Sequence, residues 1–371
     1  MLNFKEEISD IKKSDFLMYL FFIMISFCKG IGLSSSDKVY IFIFLFGALT
    51  VGIKMFQDKF TVNEIANLFF ILGIGIIDYL VFKESTILFT GIALAGMKNI
   101  NIKKVIRIMF YVRTLAFCGN VFCSLTGIIN NEAIYIYRST NGEILKRYTL
   151  GFSHPNIAHS SLTIIVILWG YLNYNKIKIW KVIAWELVNL FIYQYTFSRT
   201  GFIIVTLCLV LYYLAQNIKK ISKFLIKNIN IIYCGVLIIS FLVAWGYGKF
   251  DWLYNIDNIF TGRIRFMSQV FNNYSIPLIG RGKYRNIAFD NGYFDMIYCS
   301  GLLAFMWFFY TQIKTNKFMS KNNYVSDCVF TIIFLIYCIT ESFYASLIMN
   351  PSLLFFSYII YNDNLKKINK L

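Results

Sequence analysis

Apolar runs recur along the chain near positions 16–33, 39–53, 65–82, 85–97, 105–129, 157–174, 180–197, 201–217, 230–248, 291–313, 327–345 and 352–362. A helix needs about 20 apolar residues to cross the hydrocarbon of a bilayer, and most of these runs approach that length with few charges. The pattern predicts an all-α polytopic membrane protein of about twelve spanning helices. The short fourth run and the last one are the weakest spans, and a re-entrant segment at either would change the count. Most connections are brief, but 130–156 and 249–290 are long, and long loops in compact proteins tend to carry function. The second places Phe260, Ile264, Met267 and Phe271 at helical spacing behind Asp257 and Asn258. That spacing predicts an amphipathic helix over 258–274 lying at the membrane interface. Arg263 borders its apolar stripe, whereas Arg265, about 200° further around the helix, points elsewhere. No internal repeat interrupts the chain, which reads as one integral membrane domain over residues 1–371.

Charge then orients the spans. With the N-terminus inside, the lysine-bearing spacers (Lys54 and Lys59, Lys98 to Lys104, Lys176 to Lys181, Lys219 to Lys227, Lys314 to Lys321, Lys366 to Lys370) all fall on the cytoplasmic side, as the positive-inside rule expects. Both termini are then cytoplasmic. The remaining loops face out and hold Arg138, Arg147, Arg199, Arg263, Arg265, Arg281 and Arg285, against the topological bias. Something other than insertion is expected to place them there.

A chain of 371 residues that is 58% hydrophobic and only 15% charged is excluded from the ordinary soluble class. The net charge of +17 would suggest nucleic acid in a soluble protein. Here the lysines are scattered over membrane-proximal spacers, which argues against a nucleic-acid partner. The first apolar run lacks a small-residue cleavage site and reads as the first span. Eight cysteines lie mostly inside apolar runs without CxxC pairs, and there are two histidines, His154 and His159. Neither a metal site nor a cofactor is expected.

In this topology the sixth, eighth, tenth and twelfth helices begin at the outer surface, each behind a polar string. The strings are Gly151-Phe152-Ser153-His154-Pro155-Asn156, Ser198-Arg199-Thr200-Gly201, Asp290-Asn291-Gly292-Tyr293 and Asn350-Pro351-Ser352. Helix starts offer unpaired N–H groups and the positive end of the dipole, which favour an anion. Arginine forks grip phosphate bidentately. A phosphate or pyrophosphate site at the outer face follows, with Arg199 as its leading cation. The competing reading is plainer: every helix needs caps, and interfacial arginines snorkel. That reading is preferred for Asn350 with Pro351 as a cap, and for His159 as a packed residue. Arg113, in the middle of the fifth span, needs a partner among Asp78, Glu186 and Glu341, and also counts among the candidate binding arginines.

The first three of these strings, together with Thr261-Gly262-Arg263 and Gly280-Arg281-Gly282, resemble in order and spacing the bacterial polysaccharide polymerases of the Wzy type. Those enzymes belong with the O-antigen ligase-like membrane glycosyltransferases. The resemblance runs over residues 105–350 and looks most like Gram-positive capsule or exopolysaccharide polymerases. It implies a GT-C-like fold in the bacterial cytoplasmic membrane and no metal requirement. The donor and acceptor it implies are oligosaccharide repeat units on undecaprenyl pyrophosphate, with membrane lipid around the site and a flippase and a chain-length regulator as protein partners. Its pyrophosphate arginines map to Arg199 and Arg263, and further to Arg281 or Arg285. Asn156, Asn291 and Tyr293 complete the candidate substrate-binding set. A base for the acceptor hydroxyl is sought among His154, Asp290 and Glu341, with His154 first because an imidazole needs no large pKa shift. Direct displacement would invert the anomeric centre. A flippase or exporter of the same lipid-linked sugars, or a polysaccharide ligase, is the alternative.

Overall fold

The computed structural model describes residues 13–33, 38–137, 144–259, 262–280 and 290–361. In chain order the helices are α1 (Lys13–Gly30), α2 (Lys38–Gln57), α3 (Val62–Ile77, continued by a π-turn over Asp78–Phe82), α4 (Thr86–Gly96) and α5 (Ile102–Leu125). A hairpin of β1 (Ala133–Tyr137) and β2 (Ile144–Tyr148) follows. Then come α6 (Pro155–Leu172), α7 (Ile179–Thr196), α8 (Arg199–Asn217), α9 (Lys219–Gly246), α10 (Trp252–Ile259) and α11 (Arg263–Asn273). The last part holds α12 (Gly292–Asp295, with a π-turn over Met296–Ser300), α13 (Leu302–Lys321), α14 (Val325–Tyr337), a 3₁₀ turn (Pro351–Phe356) and α15 (Ser357–Ile360).

Every one of the twelve apolar runs contains a helix. Among the described residues six are long and apolar enough to cross a membrane: α2, α3 with its π-turn, α5, α6, α8 and α9. Within those windows 83% of α6 is buried, against 28–39% for the other five, so α6 is largely enclosed and the others leave much of their surface bare. That surface carries Phe56, Val62, Phe69 and Leu115, exposed by 74–95%. Large apolar side chains left this bare would cost about 1.5–3 kcal/mol each in water but nothing against lipid tails. The chain is a predominantly helical membrane protein.

Two compact units emerge, one of residues 1–50 and 101–219, the other of residues 51–100 and 220–371; α2 runs across the division. In the first, α1 packs along α5, and α6 packs against α7 and α8. The loop 130–156 holds the antiparallel hairpin, which pairs Ala133 with Tyr148 through to Tyr137 with Ile144. No strand was expected from the sequence. The segment Ala133-Ile-Tyr-Ile-Tyr137 nonetheless carries the β-branched and aromatic residues that favour one.

In the second unit the predicted 258–274 helix is two helices, because α10 ends at Ile259 and α11 starts at Arg263 after Gly262. Asp257 caps across that break, its Oδ1 accepting from the N–H groups of Ile264 (2.8 Å) and Arg265 (3.2 Å). The apolar stripe Ile264, Met267 and Val270 packs on Ala244, Phe294 and Ile297. Its partner is the protein's own core, a correction to the interfacial expectation. The tenth run is likewise discontinuous, broken at Gly301. There the N–H groups of Leu302 and Leu303 donate to the carbonyls of Pro277 and Leu278. The twelfth run forms only short turns that are buried almost throughout.

Two of the lysines assigned to topology have structural tasks. Lys54 is fully buried and pairs with Asp58 at 3.2 Å. Lys98 donates to Glu64 Oε2 and to the Lys59 carbonyl, both at 2.5 Å, and sits 4.3 Å over the Phe60 ring. Glu64 also closes a capping box with Thr61 at the start of α3. Removing one member of a buried ion pair leaves an uncompensated charge. Lys98→Met is therefore expected to lose about 3 kcal/mol of stability, read by thermal unfolding in detergent. An unchanged midpoint would contradict the pairing.

Candidate functional site

In the second unit three elements converge on one arginine. Arg263, the first residue of α11, is 7% exposed. Its Nη1 donates to the Thr340 carbonyl and lies 3.6 Å from Glu341 Oε1, while its Nε lies 3.3 Å from Asp290 Oδ2. The Asp290 side chain is half exposed, and that of Glu341 is 18% exposed. Glu341 stands in the non-helical stretch beyond the end of α14. With both carboxylates ionised the cluster carries one net negative charge.

The string Asp290-Asn291-Gly292-Tyr293 builds this cluster. Asn291 is fully buried. Its Oδ1 accepts from the N–H groups of Tyr293 and Phe294 to cap α12, and its Nδ2 donates to Ser240 Oγ and the Ile339 carbonyl. It thereby ties α9, α12 and the 338–350 loop together. Gly292 donates its N–H to the Cys338 carbonyl at 2.7 Å. A Cβ on Gly292 would lie 2.9 Å from the Glu341 carbonyl oxygen and 3.0 Å from the Tyr344 nitrogen, so only glycine lets the Glu341 loop approach. Tyr293 is buried, its hydroxyl donating to the Leu335 carbonyl at 2.6 Å. Asn291 and Tyr293 were expected to bind substrate. Both are enclosed, with their polar atoms held by protein partners.

The first unit has its own polar cluster. The buried Arg147, on β2, donates from Nε to the Thr196 carbonyl (2.6 Å) and from Nη2 to Asn156 Oδ1 (2.5 Å). A cation at the last carbonyl of α7 also complements the helix dipole. Asn156 is therefore partnered by protein. His154 caps α6, its Nδ1 accepting from the Asn156 N–H at 3.1 Å. In the neutral imidazole the other nitrogen then carries the proton, which leaves no free lone pair for a base. His154 thus gives way to Glu341 in the order of candidates.

His159 is fully buried, with Nδ1 3.0 Å from Thr196 Oγ1 and Nε2 2.9 Å from Asn189 Oδ1. Asn189 Nδ2 faces the acceptors Glu186, Phe202 O and Thr206, so its Oδ1 takes the proton of His159 Nε2. A Cβ on Gly201 would lie 2.6 Å from the His159 ring, which accounts for the glycine in Ser198-Arg199-Thr200-Gly201. His159 is a packed, hydrogen-bonded residue, as its setting in the sequence suggested. Arg113 is 1% exposed within α5. Glu186, one of its candidate partners, instead accepts from Thr206 (2.8 Å) and Asn189 (3.2 Å). Asn350 is a buried structural residue, donating to the Tyr344 carbonyl and accepting from Ser352.

Arg199 differs from all of these. It opens α8 directly after Phe197, which turns the chain at φ +46°, and the Ser198 side chain makes no capping bond. Arg199 is half-buried, and among the described residues no side chain pairs with it. The start of α8 with Arg199 is thus an open cationic position, whereas Arg263 is already neutralised. Arg138, Arg281 and Arg285 lie outside the described residues. Among those described, no three His, Cys, Asp or Glu side chains converge to hold a metal ion.

Sequence reasoning overlooked the Thr340 carbonyl, Ser240, and the Asn189 with Thr206 network. Backbone acceptors and buried amides leave no charge or spacing signal. No protein-family model matches the chain, and neither a curated protein nor a solved structure matches it.

Proposed function

We propose that the chain is a Wzy-type polymerase that joins oligosaccharide repeat units carried on undecaprenyl pyrophosphate at the outer face of a bacterial cytoplasmic membrane. The observation that carries this reading is Glu341: a carboxyl 3.6 Å from Arg263 Nη1, with a half-exposed second carboxylate, Asp290, on the same arginine. A carboxylate so placed suits removal of a proton from a sugar hydroxyl at neutral pH. The acceptor oxygen attacks the anomeric carbon of the donor and a glycosidic bond forms. The bond from that carbon to the phosphate oxygen breaks, its electron pair leaving with the pyrophosphate, and the hydroxyl proton passes to Glu341. One direct displacement inverts the anomeric centre. Arg199, at the start of α8 in the first unit, is separately a cation suited to the lipid pyrophosphate. In this reading the twelve apolar segments form a twelve-pass, GT-C-like frame with both termini inside.

The test is to incubate the purified chain in nanodiscs with its lipid-linked repeat unit and a chelator, and to resolve the products by gel. A polymer ladder is expected, with Arg199→Ala slowing it by about 10²–10³-fold. No ladder, accompanied by transbilayer movement of the same lipid in liposomes, would replace this reading with a flippase.

A further inference from the structure

Where α6 ends and α7 begins, two cavities adjoin. One is an apolar groove of about 320 Å³ walled by Trp169, Trp180, Ala184, Trp185 and Val188. The other, of about 620 Å³, is bounded by Asn175, Lys176, Lys178, Tyr213, Gln216 and Asn217. Lys181 lines both. The polar cavity is a built one. Ile177, buried between the lysines, donates its N–H to Gln216 Oε1 and accepts from Gln216 Nε2, each at 2.9 Å, so the loop is clamped to the end of α8. Lys181 Nζ donates to the Lys176 carbonyl at 3.2 Å and stands 5.7 Å from the Trp180 ring centre. Three lysines and no carboxylate line this cavity, so its occupant is anionic.

We propose that these cavities together hold one anionic glycerophospholipid of the surrounding bilayer, its phosphate among Lys176, Lys178 and Lys181 and an acyl chain along the tryptophan groove. The same helix also exposes Ile183 and Leu187, by 54% and 61%, a surface suited to hydrocarbon. Tryptophans at a membrane–water boundary beside lysines fit the headgroup level of a lipid. A soluble anion would use the lysines but leave the groove empty. The site lies wholly within the first unit and needs no particular catalytic activity.

Native mass spectrometry of the full chain, titrated with phosphatidylglycerol and with phosphatidylcholine of the same acyl chains, tests this. Phosphatidylglycerol is expected to bind at least about tenfold tighter. The triple variant Lys176→Gln, Lys178→Gln, Lys181→Gln should erase the preference, while Lys314→Gln, Lys317→Gln, Lys321→Gln, which removes equal charge from the exposed face of α13 in the second unit, should retain it. Trp180→Ala, at an exposed indole, should weaken both lipids and keep the preference, and excess free glycerol phosphate should not displace the lipid. Equal binding of the two lipids, retention of the preference in the first triple variant, or displacement by glycerol phosphate would overturn the proposal.

Discussion

Glu341→Gln is expected to slow glycan extension by about 10²–10⁴-fold, the range lost when a general base is removed. Glutamine keeps the size of the side chain and an oxygen that can face Arg263, so the loop 338–350 should stay in place. Asp290→Asn is expected to have a smaller effect on rate, because the Asp290 side chain is half exposed and reaches Arg263 from the solvent side. The comparison is made as single-turnover extension rates in nanodiscs. A larger loss in Asp290→Asn than in Glu341→Gln would exchange the two roles.

The second large effect is on stability. Arg263→Leu would leave Glu341 and Asp290 facing one another and the Thr340 carbonyl without its donor. Breaking a buried ion pair typically costs about 3–5 kcal/mol, and the exposure of Asp290 places the expected loss near the lower end. Arg199→Leu should change stability by less than about 0.5 kcal/mol, as a substitution away from paired groups does. Thermal unfolding of both variants in the same detergent separates the two arginines. Equal shifts would mean that Arg199 is as firmly paired as Arg263.

The helices were legible because apolar length is a one-dimensional signal: all twelve runs hold helices, six of which, among the described residues, are long and apolar enough to cross a membrane. What happens inside a run was less legible. The break at Gly301 depends on the carbonyls of Pro277 and Leu278 arriving from a distant loop, and the split at Gly262 on a cap from Asp257. Neither follows from local hydropathy. Asp290 and Glu341 were singled out as candidate bases and Arg263 as a pyrophosphate residue, with no sign that the three meet. Their meeting depends on Asn291 and Gly292, whose contacts lie about 50 residues away in sequence. Arginine content in the loops expected to face out pointed to anions in general. It could not separate Arg199, left open, from Arg147 and Arg263, already held by protein groups.

The most direct measurement is the pH dependence of single-turnover glycan extension in wild type and Glu341→Gln between about pH 5 and 9. A base works when deprotonated, so the wild-type rate should rise with pH through a midpoint and level off, and the residual rate of the variant should lack that midpoint. The same midpoint persisting in Glu341→Gln would contradict the account and place the base elsewhere.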